Sequence, residues 1–273
     1  MLEIKDLFFK KKILIYGLGK SGLASYKYLK NDNNLQLYDE YKKNFKDVNL
    51  KKLIIKSKDI HKEKYDAIII SPGIDIYKCQ HKIFLVRNIK KIYTDLDIFY
   101  SKHSDKKNIT ITGTNGKSTT TKLLFDILKY QKKDVRLTGN IGNPILKEKN
   151  INKKTIFIIE ASSYQLEYSK NFKANYAAIL NISPDHLERH KTYENYINSK
   201  FKLFKNLKKK DYAFFDKKNS DIIKKIKKKK LDCKIIGVEK KIINKYLKKI
   251  NNLNFSTEGN KQNLSFVISI LKK

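Results

Sequence analysis

The segment Thr112-Gly113-Thr114-Asn115-Gly116-Lys117-Ser118-Thr119-Thr120 constrains this chain more than any other. It follows the apolar run 109–111 and opens an amphipathic pattern over 118–130, so it reads as strand, glycine turn and helix. Backbone N–H groups of such a turn and of the helix N-terminus converge, and the helix dipole adds partial positive charge, which together suit a phosphate. Gly113, Thr114, Asn115, Gly116 and Thr119 are the expected cradle, Lys117 is expected to reach the β- and γ-phosphates of a nucleotide, and the Ser118 hydroxyl to ligate Mg²⁺. The spacing departs from the commonest phosphate loop, because the glycine usually found five positions before Gly116 is Ile111. A turn that only capped a helix would give no reason for the Lys-Ser-Thr that follows.

Short apolar runs alternate with helical patterns along the whole chain, the signature of βαβ units and parallel sheets. Strands are expected at 12–16, 35–38, 53–55, 67–70 and 83–86, with a helix at 21–30. The polar stretch Ser101–Lys107 reads as a linker, giving a first domain over 1–100 and a second over 101–273. The second series runs strand 109–112, helix 118–130, strands 155–160 and 176–181, helix 192–207, strand 212–215, helix 219–229, strand 233–236 and helix 260–271. The fold class is therefore α/β: an N-terminal Rossmann-like parallel-sheet domain followed by a P-loop ATP-binding α/β domain.

A formal charge of +34 suggests nucleic acid at first sight. Yet Arg87, Arg136 and Arg189 are the only arginines, and bidentate clamping of phosphates and base edges favours arginine over lysine. Lysine covering a solvated surface is the better account, so no nucleic-acid partner is expected. Cys79 and Cys233 are far apart and show no metal-ligand spacing, which fits a reducing compartment. The segment Met1–Lys12 lacks the apolar centre of a signal peptide, and no apolar run approaches the roughly 20 residues needed to span a bilayer. The expectation is a soluble, cytoplasmic monomer acting on small molecules, with no membrane partner.

A second glycine turn, Gly17-Leu18-Gly19-Lys20-Ser21-Gly22, follows the first strand and fits G-x-G-x-x-G, with Asp39 at the end of the next strand, near the offset of a ribose-binding acid. Ser71-Pro72-Gly73-Ile74 ends a later strand of the same sheet and offers further backbone N–H groups. A dinucleotide, a nucleotide-diphosphate conjugate and a turn used only for packing all remain compatible with this pattern. Farther on, Glu160 ends an apolar strand beside the phosphate loop, where a carboxylate can ligate Mg²⁺. His186 stands just past another strand end, where ligands collect in parallel sheets. Asp185 reads equally as a cap of the following turn, and nothing intrinsic distinguishes Lys200 from the many other lysines.

In this order, GLGKSG at 17–22, SPGI at 71–74, GTNGKST at 113–119, GNIGNP at 139–144, EASSYQLE at 160–167, NISPDHLERH at 181–190 and the YINSK segment ending at Lys200 resemble the Mur ligase family. These are ATP-dependent amino-acid ligases of peptidoglycan precursor synthesis. The resemblance covers the whole chain and is strongest to the branch that joins D-glutamate to UDP-N-acetylmuramoyl-L-alanine. It implies that Lys117, His186 and Lys200 are catalytic and that ATP and two Mg²⁺ ions are used. Ser118 and Glu160 would serve one magnesium, His186 and a carbamylated Lys200 the other. It further implies that Asn260 and Asn263 lie near the adenine. Lys20, Ser21, Asp39, Ser71 and Gly73 would hold the uridine diphosphate, and Asn140 and Ser162 the muramoyl-alanine end. The reaction implied is attack of the L-alanine carboxylate on the γ-phosphate, then displacement of phosphate from the acyl phosphate by the amine of D-glutamate. Two departures stand out. Where the family carries His-Asn-x-x-Asn, this chain has Gly259 in place of the histidine. The family also continues into a third, amino-acid-binding domain beyond the position of Lys273. The expectation is a chain that binds UDP-sugar and ATP with little complete ligation; the alternatives are a non-catalytic UDP-sugar- and ATP-binding fragment or another Mur-type amino-acid ligase.

Overall fold

Near-continuous apolar strands, as in Ile156-Phe157-Ile158-Ile159, mark sheets covered on both faces, and both sheets here are wholly parallel. The computed structural model describes residues 6–41, 47–243, 246 and 257–273; Met1–Lys5 of the N-terminal segment lie outside that range. Contacts sort the chain into two units, one comprising Met1–Ser104 with Pro144–Glu148 and Tyr168–Phe172, the other the remainder.

The first unit contains β1 (Lys12–Tyr16), α1 (Lys20–Leu29), β2 (Asn34–Tyr38), α2 (Val48–Lys52), β3 (Ala67–Ile70), α3 (Lys82–Arg87), β4 (Ile92–Tyr93) and α4 (Asp95–His103), with strand order β2-β1-β3-β4. Its third turn glycine is needed for close approach: a Cβ on Gly22 would lie 1.9 Å from the Gly17 carbonyl oxygen, so only glycine lets α1 pack onto the turn. The segment 168–172 joins this unit through Asp97, a fully buried carboxylate in the first turn of α4. Its Oδ1 accepts from the N–H groups of Lys170, Asn171 and Phe172 and from the Ser169 hydroxyl, while Oδ2 completes a capping box with Thr94.

The second unit contains β5 (Lys107–Thr112), α5 (Lys117–Tyr130), β6 (Val135–Gly139), β7 (Ile156–Glu160), α6 (Ser163–Tyr168, all but its last residue), β8 (Tyr176–Ile179), α7 (Leu187–His190), α8 (Tyr193–Phe201), β9 (Tyr212–Asp216), α9 (Ser220–Lys228), β10 (Lys234–Val238) and α10 (Glu258–Leu271). The strand order is β10-β9-β8-β5-β7-β6. Leu124 and Leu128 of α5 and Phe266, Val267 and Ile270 of α10 pack in one core with Ile111, Ile158 and Ala178 of the sheet. Among the described residues no helix is long and apolar enough to cross a membrane.

Several elements differ from the sequence expectation. The run 83–86 forms helix α3, burying Phe84 and Leu85 while Ile83 stays 64% exposed; periodicity cannot separate strand from helix over so few residues. The run 53–55 contributes only an isolated bridge, Leu37 to Ile54. The stretch Ser101–Lys107 is mostly structured: α4 runs to His103, β5 starts at Lys107, and the units part between Ser104 and Asp105. The helix expected over 192–207 is α8 followed by a single 3₁₀ turn. Strand β6 gave no signal because charged residues flank and interrupt it.

Candidate functional site

The phosphate loop lies at the end of β5, between β7 on one side and β8 on the other. Ile111 pairs with Glu160 and Thr112 with Ile179, so three neighbouring strand ends bring Gly113, Glu160 and Asn181 together. This is where parallel sheets collect ligands. Asn181 clamps the loop: its carbonyl accepts from Thr114 N–H (3.0 Å), its Oδ1 from Asn115 N–H (2.8 Å), and its Nδ2 donates to the Asn115 carbonyl (3.0 Å). The Thr114 hydroxyl adds contacts to the Ser183 carbonyl and the Tyr196 hydroxyl. Gly116 opens α5 at φ +81°, a left-handed conformation that L side chains avoid. Ser118 and Thr119 are exposed at the start of the helix.

Lys117 curls back over the loop and donates to the carbonyls of Gly113 (2.9 Å) and Thr114 (2.7 Å). Lys200 reaches the same Gly113 oxygen at 2.9 Å from α8, which is started by the Thr192 side chain accepting from Asn195 N–H. Tyr196 lies one turn before Lys200, with its ring 4.5 Å from the ammonium. Lys200 is 1% exposed. Burial, helped by the Lys117 cation and opposed by Asp185, brings its amine down to about 7. Burial lowers Lys117 as well, against the pull of Glu160 and Asp185.

Glu160 is 1% exposed; its Oε1 accepts from Asn140 Nδ2 (2.9 Å), and its buried Oε2 has no hydrogen-bond partner among the described residues. A buried carboxylate oxygen left without a partner is costly unless something fills the position. Hard oxygen donors from Glu160 and the Ser118 hydroxyl suit Mg²⁺, so these residues fit the ion the sequence implies. His186 sits at φ +53° at the head of α7, exposed, with Asp185 and Glu188 carboxylates 3.4 and 3.7 Å from its ring. Ser162 caps α6 by accepting from Gln165 N–H. Asn260 and Asn263 line a cleft of about 380 Å³ together with Asn115, Gly116, Thr119 and Gln262, whose buried Nε2 has no partner among the described residues.

In the first unit the expected substrate residues mostly hold the turn itself. Asp39 accepts from Leu18 N–H (2.5 Å) and Tyr41 N–H (3.0 Å), Ser21 donates to Asp95 (2.7 Å), and Ser71 donates to the Gly17 carbonyl (2.7 Å). Lys20 and Gly73 are exposed. Sequence reasoning missed three contributors in the second unit: Asn181 as a loop clamp, the Gly113 carbonyl as a shared acceptor, and His190. His190 is buried, shares a hydrogen bond with the Ser163 hydroxyl (3.0 Å), and is brought down to about 4 by burial and the neighbouring cations Arg189 and Lys200. Asn181 and His190 both fall inside the 181–190 motif; the Gly113 carbonyl leaves no trace in sequence.

The profile of the Mur ligase middle domain matches residues 111–271. The chain belongs to the Mur ligase family. The matched span lies within the second unit apart from 144–148 and 168–172, and it contains Gly113, Glu160, His186 and Lys200. The chain is 41% identical over 207 residues to the UDP-N-acetylmuramoylalanine--D-glutamate ligase of Rickettsia prowazekii, covering 75% of this chain and 46% of that protein. It is 37% identical over 229 residues to the enzyme of the same name from Caldicellulosiruptor saccharolyticus, covering 79% and 49%. The chain thus spans about half the length of the curated relatives it matches. In fold it is similar to a solved UDP-N-acetylmuramate:L-alanyl-gamma-D-glutamyl-meso-diaminopimelate ligase from Neisseria meningitides, with a TM-score of 0.59 at 13% identity over 96% of this chain and 93% of that one.

Proposed function

We propose that this chain carries the nucleotide-sugar-binding and carboxylate-activating parts of an ATP-dependent ligase that joins D-glutamate to UDP-N-acetylmuramoyl-L-alanine. The supporting observation is the convergence of Lys117 and Lys200 on the Gly113 carbonyl, just past the end of the strand paired with the one that ends in Glu160, whose Oε2 has no partner among the described residues. The relatives bearing that ligase name support the choice of substrates. The N–H groups of 113–119 would receive the ATP phosphates, and Lys117 would leave the loop carbonyls to follow the γ-phosphate, holding it in line for the L-alanine carboxylate. Mg²⁺ bound by Ser118 and Glu160, with a second ion near His186, would neutralise phosphate charge. Asn140 keeps Glu160 oriented, and Asn260 and Asn263 would border the adenine. Lys20, Ser21, Asp39, Ser71 and Gly73 would shape the uridine diphosphate site, with Ser162 at the muramoyl-alanine end.

Lys200 suits carbamylation. A neutral amine is the form that attacks CO₂; the new N–C bond releases one proton and leaves a carbamate anion beside the Lys117 cation. The reading is of a protein that is soluble, cytoplasmic and monomeric. Calorimetric titration with UDP-N-acetylmuramoyl-L-alanine and with UDP-N-acetylmuramate tests it. Tighter binding of the alanine form, and Mg²⁺-dependent ATP binding lost in Lys117→Ala, are expected. A folded chain that binds neither UDP-sugar refutes the substrate assignment.

A further inference from the structure

The three arginines divide two to one. Arg136 pairs with Asp134 and Arg189 with Glu167, whereas Arg87, exposed at the end of α3, makes no hydrogen bond or ion pair with any described residue. Arg87 lines a cavity of about 280 Å³ in the first unit, with His61, Lys64, Tyr65, Phe84 and Lys91. Its charges are lopsided. Lys64 likewise has no partner among the described residues. Lys91 donates to the Tyr65 carbonyl (2.7 Å) and keeps two further N–H bonds. His61 shares its Nε2 with Nδ1 of His81 (3.1 Å) and retains Nδ1. The one acid in the lining, Glu63, is tied to Lys12.

Apart from Asn88, whose amide donates to the Phe84 carbonyl (2.9 Å), the rest of the lining is apolar. Phe84, 8% exposed, packs edge-on against His61 (5.4 Å between centroids) and Tyr65 (6.1 Å). Ile83, in the same lining, leaves 64% of its surface in water. The cavity is separate from the glycine-turn site: Tyr65 and Lys91 stand before β3 and β4, while the Gly17 turn follows β1, which in a parallel sheet is the opposite edge. A volume just below the usual ligand-pocket range of about 300–1,000 Å³ leaves room for one ring, not for a dinucleotide.

We propose that this cavity binds a small phosphomonoester carrying a single flat ring. The guanidinium fork of Arg87 and the Lys64 ammonium would take the dianion, and Phe84 and Ile83 the ring. Phenyl phosphate is the probe, titrated into the full ¹⁵N-labelled chain and followed by NMR. Saturable shifts are expected at His61, Lys64, Arg87 and Asn88, including the imidazole nitrogens of the His61–His81 pair. Affinity should fall at least tenfold in Arg87→Gln, fall by about half that factor in Lys64→Ala, and stay unchanged in Lys117→Ala. Because the Arg87 and Lys64 side chains make no hydrogen bond or ion pair with a described residue, both variants should keep the wild-type spectrum elsewhere. Non-saturable shifts, or shifts centred on 113–119 that vanish in Lys117→Ala, overturn the site. Equal affinity for inorganic phosphate overturns the ring-bearing ligand.

Discussion

The ammonium groups of Lys117 and Lys200 donate to one acceptor, the carbonyl oxygen of Gly113, each at 2.9 Å. Two cations on one oxygen repel, and the arrangement relaxes if one of them is neutral. Lys200 is the more deeply buried and among the described residues has Asp185 alone to oppose its loss of charge, whereas Glu160 and Asp185 both help keep Lys117 charged. The loop thus holds one cation tied to its carbonyls and one amine that burial draws down to about 7.

That division has a pH signature. The Lys200 amine ionises at about 7 in the fold against 10.5 unfolded, so between those values the unfolded chain binds more protons. Stability contributed at this position must rise with pH from about 7 to about 10.5, and the burial penalty is fully present below 7. Urea unfolding of the wild type and of Lys200→Met at intervals across this window checks the point. The wild type should gain on the variant as pH rises; parallel curves would mean that Lys200 is not titrating.

Which parts of this arrangement could be read from the sequence follows from range. The loops at 17–22 and 113–119 were legible because a glycine turn between an apolar run and a helix is a local pattern, and Gly22 and Gly116 show the steric reason. Lys200 was legible only through its motif, since its meeting with Lys117 is made by α8 crossing to β5, 87 residues away from Gly113. The capture of 168–172 by Asp97 depends on a buried carboxylate finding N–H groups more than 70 residues on, which no local pattern encodes. Strands at 53–55 and 83–86 were misread because three or four apolar residues carry no period.

The unpartnered oxygen of Glu160 makes a second prediction. Replacing it in Glu160→Gln removes a buried charge while keeping an acceptor for Asn140, so stability without metal should change by less than about 1 kcal/mol. Affinity for ATP in the presence of Mg²⁺ should fall at least tenfold, about 1.4 kcal/mol. Calorimetry with and without Mg²⁺ separates the two effects. An equal loss of ATP affinity in both conditions would place Glu160 outside the metal's shell.

Gly116 and Asn263 couple the phosphate loop to α10. A Cβ on Gly116 would stand 2.2 Å from Asn263 Oδ1, and the backbone there is left-handed. Gly116→Ala should cost about 1–2 kcal/mol from the backbone alone and more from displacing Asn263. In Gly116→Ala/Asn263→Ala the clash is gone, so the double variant should be more stable than the sum of the single effects by about 1 kcal/mol. Strict additivity in denaturant melts would show that the two residues do not meet.

His190 supplies the last test, on the acid side. Burial holds its imidazole at about 4, against 6.5 in the unfolded chain, and its neutral ring shares a hydrogen bond with Ser163. Between those values the unfolded chain binds the extra proton, so the stability His190 contributes is complete above about 6.5 and drains away as pH falls toward 4. Glutamine can keep a hydrogen bond to Ser163 but cannot take up a proton. Thermal melts of the wild type and His190→Gln should therefore converge, with the variant relatively favoured, as pH is lowered through that window, while His190→Ala should be less stable throughout because it loses both the bond and the packing beside Tyr196. If wild type and glutamine variant lose melting temperature at the same rate, the imidazole takes up its proton alike in the folded and unfolded chain, and burial does not hold it down.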